Sequence, residues 1–474
     1  MQTRVVSQLP ITQEDWSDLV FCYLRDDSDG ILGITCVSHD HQHSYLSPSI
    51  SFMQVDLNNG AIISDVSYPC SCEGLEAIHL VYDRREQVWL ITLIETFDLS
   101  QSSHIVLYKA SSDGHLLSES PLVIDEAVDS VTDIGPLLLT YGDAGSYRVL
   151  YLKPKMDNMD APDVLLGRLI KAKGQEYFSR EEITIAEKSF GYLAGENCLL
   201  LACRPEYGEF SEKVNGVFVG ATGEWRISMM GWKGDAASMY WKFAPNMGFP
   251  VGDRRSPDKD FDWLIVGADA IGGPTLPGNG RHTWVVGIVL IDTFDYKAHG
   301  YTIEEEDRIT KNVQSLFCID AAGKVVQVSQ SPVGPQLDLC LSGTMVVGVD
   351  LLDDRRRLWN WFPLHETQLR TVLWLDQQVL RATVVAEKAQ EERRGDLFWL
   401  VEEYSDQVRI SKRDAFTLTE VSPAVVLADV HLISKQKHWR YLEWEKSLEA
   451  IPYQGRLFLL GVDKNKQSVL YQIE

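Results

Sequence analysis

The sequence predicts an all-β chain, and three observations carry that prediction. Long helical periodicity is scarce. A pair of short strands around a tight turn holding Asp, Asn or Gly recurs along the length. Near each pair lies a more uniformly apolar run, as expected of a strand covered on both faces.

The strand pairs come in order. The first is SISFMQVDLNNGAIISDVS (49–67) and the second HIVLYKASSDGHLLSESP (104–121). NGVFVGATGEWRISM (215–229) and SLFCIDAAGKVVQVSQSP (315–332) follow, then TVLWLDQQVLRATVV (371–385) and QVRISKRDAFTLTEVSP (407–423). Gly60, Gly114, Gly223 and Gly323 stand where a hairpin with a bulge needs a positive φ, which glycine adopts without steric cost. The turns recur at intervals that fit a unit of about 50–60 residues with one long insertion. A further copy is expected near 147–172, as YRVLYLKPK and a degraded outer strand around DVLLGRLIKAK.

Eight apolar runs accompany the pairs: ILGITCV (31–37), VWLITLIE (88–95), LLLTYG (137–142), LLLACR (199–204), HTWVVGIVLID (282–292), MVVGVDLL (345–352), DLFWLVEE (396–403) and RLFLLGVD (456–463). They read as inner strands, with the alternating segments as outer ones. This gradient resembles a β-propeller of four-stranded blades, and the resemblance covers the chain as a single domain, 1–474. Eight blades are expected, with seven the alternative. The GH…WD signature, the kelch double glycine and the sialidase Asp-box are absent, so the resemblance is to an architecture and fixes no activity. At the ends, TRVVSQLP matches KVVQVSQSP (324–332), and the chain stops after SVLYQIE. Residues 3–8 are therefore expected to supply the fourth strand of the last blade and close the ring, removing open sheet edges.

Charge narrows the partners. Acidic residues number 68 against 44 basic ones, a net charge of −24. Nucleic acid and anionic membrane surfaces are disfavoured, whereas a basic protein would be attracted over long range. No apolar run is long enough for a membrane helix, and the N-terminus has no signal-peptide core, so a cytoplasmic protein is expected. Most of the eight cysteines sit in apolar runs and read as small buried hydrophobes. Cys70 and Cys72, in PCSCEG, are the exception; two thiols without a second pair nearby in sequence make a thin zinc motif.

Three stretches break the rhythm: 239–263, 270–282 and 292–312. All fall within one insertion-rich blade at about 239–332. Glu304, Glu305 and Glu306 lie in the last of them as a candidate acidic contact, although the plainer reading of 292–312 is a solvated charged turn. A further insertion, DDRRRLWNWFPLHE (353–366), sets Arg355 and Arg356 beside Trp359 and Trp361, a composition found at interface hot spots. The plainer reading of those tryptophans is alternation on a strand, one packing between blades and one capping it. His39, His41 and His43 alternate in SHDHQHS and would share one face of an extended strand as a metal site, although the segment also reads as a polar loop. Nucleophile elbows, zinc-protease motifs and phosphate cradles are absent, so no catalytic residue and no cofactor is assigned. The expected function is a non-enzymatic, monomeric protein-binding scaffold. Its specific version is a cytoplasmic inhibitor or immunity-type protein that neutralises a basic toxin or enzyme. The alternative is a propeller enzyme or lectin-like protein acting on a carbohydrate or small polar ligand at the central channel.

Overall fold

The computed structural model describes residues 2–12, 22–26, 30–39, 48–70, 72, 74–83, 86–97, 102–117, 121–128, 138–142, 146–153, 164–173, 176–187, 189–195, 198–203, 215–220, 227–231, 263–272, 283–292, 313–320, 325–387, 396–435, 447–448, 450–465 and 467–474. Among them there is no helix, and hence none long and apolar enough to cross a membrane. Seven antiparallel sheets have four strands each, in sequence order. Sheet I is built from Cys22–Asp26, Ile31–His39, Pro48–Asp56 and Ala61–Pro69. Sheet II takes Gly74–Asp83, Val88–Phe97, Ser102–Ser111 and Leu122–Val128. Sheets III, IV and V begin at Leu138–Gly142, Ser189–Gly195 and Trp263–Gly272. Sheet VI comprises Asp338–Ser342, Met345–Leu352, Arg355–Trp361 and Thr371–Trp374. Sheet VII comprises Arg381–Ala386, Leu397–Glu403, Gln407–Asp414 and Val425–Ala428. These are the consecutive sheets of a β-propeller.

Sheet VIII has five strands and joins the two ends of the chain. Arg456–Val462 pairs on one side with Gln467–Ile473; its other edge is shared by Ala450–Tyr453 and His431–Leu432. The partner inferred for TRVVSQLP is the one observed: Thr3–Thr12 runs antiparallel to Gln467–Ile473, with Thr3 opposite Ile473 and Gln8 opposite Val469. The strand is longer than its sequence implies, because Pro10 does not stop it. A register shift between Leu9 and Thr12 carries the proline, which on an edge strand has no ladder hydrogen bond to lose.

Two strand assignments need correction. The apolar runs are mostly second strands, not innermost ones. An additional strand precedes Ile31–His39, Val88–Phe97, Cys198–Cys203, Thr283–Asp292, Met345–Leu352 and Leu397–Glu403 in their sheets, and only LLTYG is a first strand. Continuous apolarity reports cover on both faces, and a second strand has that cover. Met345–Asp350 of sheet VI is buried at every position, whereas Thr371–Trp374 alternates half-buried and exposed. In addition, TVLWLDQQVLRATVV is no hairpin. Thr371–Trp374 pairs backward with Arg355–Trp361, and Arg381–Ala386 pairs forward with Leu397–Glu403, so the turn at Asp376 passes between sheets.

The core lies between successive sheets. Ile50 and Phe52 of sheet I meet Leu80, Trp89 and Ile91 of sheet II. Val285 and Leu316 of sheet V meet Val346, Trp359 and Trp361 of sheet VI, while Leu358 on the opposite face meets Phe398 and Leu400 of sheet VII. Trp399 and Ile410 face Leu457, Leu459 and Tyr471, and Phe458 and Leu460 face Leu32 and Met53 of sheet I. Glycine at 348 is dictated by this packing, since a Cβ there would stand 2.3 Å from the Trp359 ring.

Candidate functional site

The strand Arg355–Trp361 decides which of the sequence candidates can face a partner. Alternation along it sends Trp359 and Trp361 to the same side, where both are fully buried against sheet V. Trp361 Nε1 donates to the Glu366 carbonyl at 2.8 Å. Arg356 is buried as well; its Nε donates to the Val379 carbonyl at 3.2 Å and its Nη2 to that of Leu380. The hot-spot reading of Arg356, Trp359 and Trp361 is therefore corrected: the sheet period takes all three into the interior, where they fix connections and fill the core. His39 ends a strand of sheet I, but its side chain, His41 and His43 lie outside the described residues. So do Glu304, Glu305 and Glu306, and residues 239–262, 273–282 and 293–312 of the irregular stretches.

Among the candidates with described side chains, Arg355 alone keeps a surface role, with a different aromatic. It is exposed, and its guanidinium lies over the Trp374 ring, 4.8 Å from the centroid. Trp374 is 46% exposed because it stands on the alternating outer strand of sheet VI, opposite Arg357. A second pair forms at the other end of that outer strand, towards sheet VII: Arg370 lies 3.7 Å from the Phe416 centroid, and Phe416 is also 46% exposed. Its position follows from local chemistry. Asp414 Oδ1 accepts from the Phe416 amide at 3.1 Å and the Thr417 amide at 2.7 Å, forming a turn closed by Leu418 at φ 61°. Asn360 then ties that turn to sheet VI. Its Nδ2 donates to the carbonyls of Ala415 (2.7 Å) and Phe416 (2.9 Å), while its Oδ1 accepts from the Thr371 amide at 2.9 Å. Two arginine-covered aromatics are thus held on rigid elements, with exposed Val372 and Val426 on the outer strands and Val421 in the connection that leads into Val425–Ala428. Such stacked pairs offer flat apolar area and a fixed fork of donors, the chemistry of protein recognition.

The C-x-C pair lies elsewhere, on the connection from sheet I to sheet II. Cys72 is buried in the core between those sheets and Cys70 is half-buried beside it. From the middle strands of sheet II, Glu95 and Tyr108 reach the same place, both nearly fully buried. Tyr108 Oη donates to Glu95 Oε1 at 2.5 Å. The sulfur atoms and the Glu95 carboxylate lie within 4.8 Å of one another. Burial raises the Glu95 carboxyl, against the hydrogen bond from Tyr108 and the nearby His104, its cross-strand neighbour. The Cys70 thiol is lowered, first by a hydrogen bond from Cys72, whose own thiol is raised by the same bond and by burial.

No protein-family model matches this chain, and no curated protein does. Solved β-propellers do match in fold. The Dos1 propeller aligns over 99% of this chain and 94% of its own, at 8% identity and a TM-score of 0.43. The α-L-arabinanase of Penicillium chrysogenum, solved with arabinobiose, aligns over 88% and 99%, at 11% identity and a TM-score of 0.41. The propeller domain of the Trilobed protease from Pyrococcus furiosus aligns over 84% and 97%, at 10% identity and a TM-score of 0.36.

Proposed function

We propose that this chain is a non-enzymatic, cytoplasmic protein-binding scaffold that meets its partner through the outer side of sheets VI and VII. The observation that carries the reading is the pair of exposed, arginine-covered aromatics, Arg355 on Trp374 and Arg370 on Phe416. Tryptophan and arginine dominate binding energy where they cluster, and here the side chains are fixed before any partner arrives, which lowers the entropic cost of docking. The net charge of −24 favours a basic partner at long range, while the Arg355 guanidinium takes up carboxylates or carbonyl oxygens at contact and that of Arg370 is already steadied by Glu366 at 3.0 Å. A small inhibited enzyme or toxin domain is the specific partner this charge balance suits.

The test is affinity purification from the native cell with wild-type protein and with a Trp374→Ala/Phe416→Ala double variant of unchanged melting temperature. A basic protein recovered stoichiometrically by the wild type and lost from the variant is the expected result. Its association should slow steeply as ionic strength rises. Equal recovery by both proteins, or recovery by neither, would sink the proposal.

A further inference from the structure

We propose that Cys70, Cys72 and Glu95 form a binding site for a thiophilic divalent ion, with zinc the best match to the donor set. A buried carboxylate needs a partner for its charge. Glu95 is removed from water; among the described residues its hydrogen-bond donor is the neutral Tyr108 Oη, the basic group near it is the cross-strand His104, and no Lys or Arg pairs with it. Taking a carboxylate out of water without a counter-charge is costly, and proteins resolve the cost with a cation, a proton or a metal. Beside Glu95 stand two sulfur atoms, which do not compensate a negative charge but do bind soft cations.

Spacing fits the same conclusion. The three donors lie within 4.8 Å of one another. In a tetrahedral zinc site, Zn–S of about 2.3 Å and Zn–O of about 2.0–2.2 Å place neighbouring donors roughly 3.3–3.8 Å apart. Small side-chain rotations close that difference. Three protein donors leave a fourth position for water. Tyr108, bonded to the carboxylate, orients Glu95 as an outer partner orients a metal ligand. Cys70 is half-buried, so an ion has a route in from solvent, whereas Cys72 and Glu95 hold the buried end. On binding, the thiols give up their protons to water as the sulfurs become thiolates; nothing is oxidised or reduced.

The consequence for the fold is a cross-link. Cys70 and Cys72 belong to the connection leaving sheet I, and Glu95 to the second strand of sheet II, so the ion would pin the connection to the sheet that follows it. This role is independent of the partner-binding surface on sheets VI and VII.

The test uses the full-length, reduced protein dialysed against zinc and then against metal-free buffer. Elemental analysis should find about one ion per chain in the wild type and a near-complete loss in Cys70→Ser and Cys72→Ser. Cobalt loading should give the thiolate-to-cobalt charge-transfer band in the wild type. Glu95→Gln should keep that band but bind at least about tenfold more weakly. Zinc should also raise the melting temperature of the wild type and not of Cys70→Ser. If Cys72→Ser does not fold, Cys70→Ser and Glu95→Gln decide the matter. Wild-type protein that retains no zinc overturns the site, as does undiminished zinc in Cys70→Ser.

Discussion

Asp350 and Glu95 are both carboxylates buried between sheets, and the chain treats them in opposite ways. Asp350, on the second strand of sheet VI, is fully enclosed and fully served. Arg357 Nε reaches its Oδ1 at 2.6 Å, Arg357 Nη2 reaches its Oδ2 at 2.8 Å, and the Gly334 amide adds a third donor at 2.8 Å. Charge, geometry and hydrogen-bonding capacity are all satisfied from within the chain. Glu95, on the second strand of sheet II, has a phenol and two thiols. One carboxylate sits in a finished ion pair. The other has His104 across the strand pair and no Arg or Lys paired to it among the described residues, and this difference separates a structural group from a candidate site.

The largest test of the contrast is to unfinish the first pair. Arg357→Met leaves Asp350 buried without its cation and should destabilise the protein by about 3–5 kcal/mol in urea unfolding. A loss under about 1 kcal/mol would put Asp350 in the same class as Glu95. The packing beside the pair comes next. Gly348→Ala drives a methyl into the Trp359 ring and should cost about 1–3 kcal/mol, measured the same way. The third test turns to sheet II. In metal-free buffer, Glu95→Gln removes a buried charge rather than a partner, so stability should stay within about 1 kcal/mol or rise. A loss comparable to that of Arg357→Met would mean that Glu95 already has a structural counter-charge. The smallest effect belongs to the surface. Trp374→Ala should change stability by no more than about 0.5 kcal/mol. A larger loss would make Trp374 part of the fold, and would withdraw it from the interface.

Much of the fold is legible in the sequence because a strand's period of two and its turn residues are local. Hairpin glycines at positions 60 and 114 take the expected positive φ. What the sequence hides is the relation between elements. The stretch around Asp376 has the turn chemistry of a hairpin, yet whether its two strands pair with each other or with older neighbours depends on the rest of each sheet. The tryptophans divide for a similar reason. Trp359 lies in RRRLWNW and Trp374 in TVLW, but of these two strands it is the third that packs against sheet V, and strand order is not written in composition. In sequence Glu95 is only the tail of an apolar run, VWLITLIE. Its meeting with Cys70 and Cys72 arises from the packing of sheet II against the connection that enters it. An acidic residue closing an apolar run, with a C-x-C just ahead of that sheet, is the signal available.

The pairing of Thr3–Thr12 with Gln467–Ile473 sets a timetable for biosynthesis. Thr3–Thr12 leaves the ribosome well before Gln467–Ile473, so its edge waits while the residues between them are translated, on the order of a minute at ordinary elongation rates. During that wait sheets I to VII can assemble in order, but sheet VIII stays an unfilled slot beside an unclaimed strand. A second nascent chain on the same message could offer the same strand to the same slot, giving an exchanged dimer. Polysome crowding and chaperone supply, more than sequence, would then govern how many molecules pair with their own beginnings.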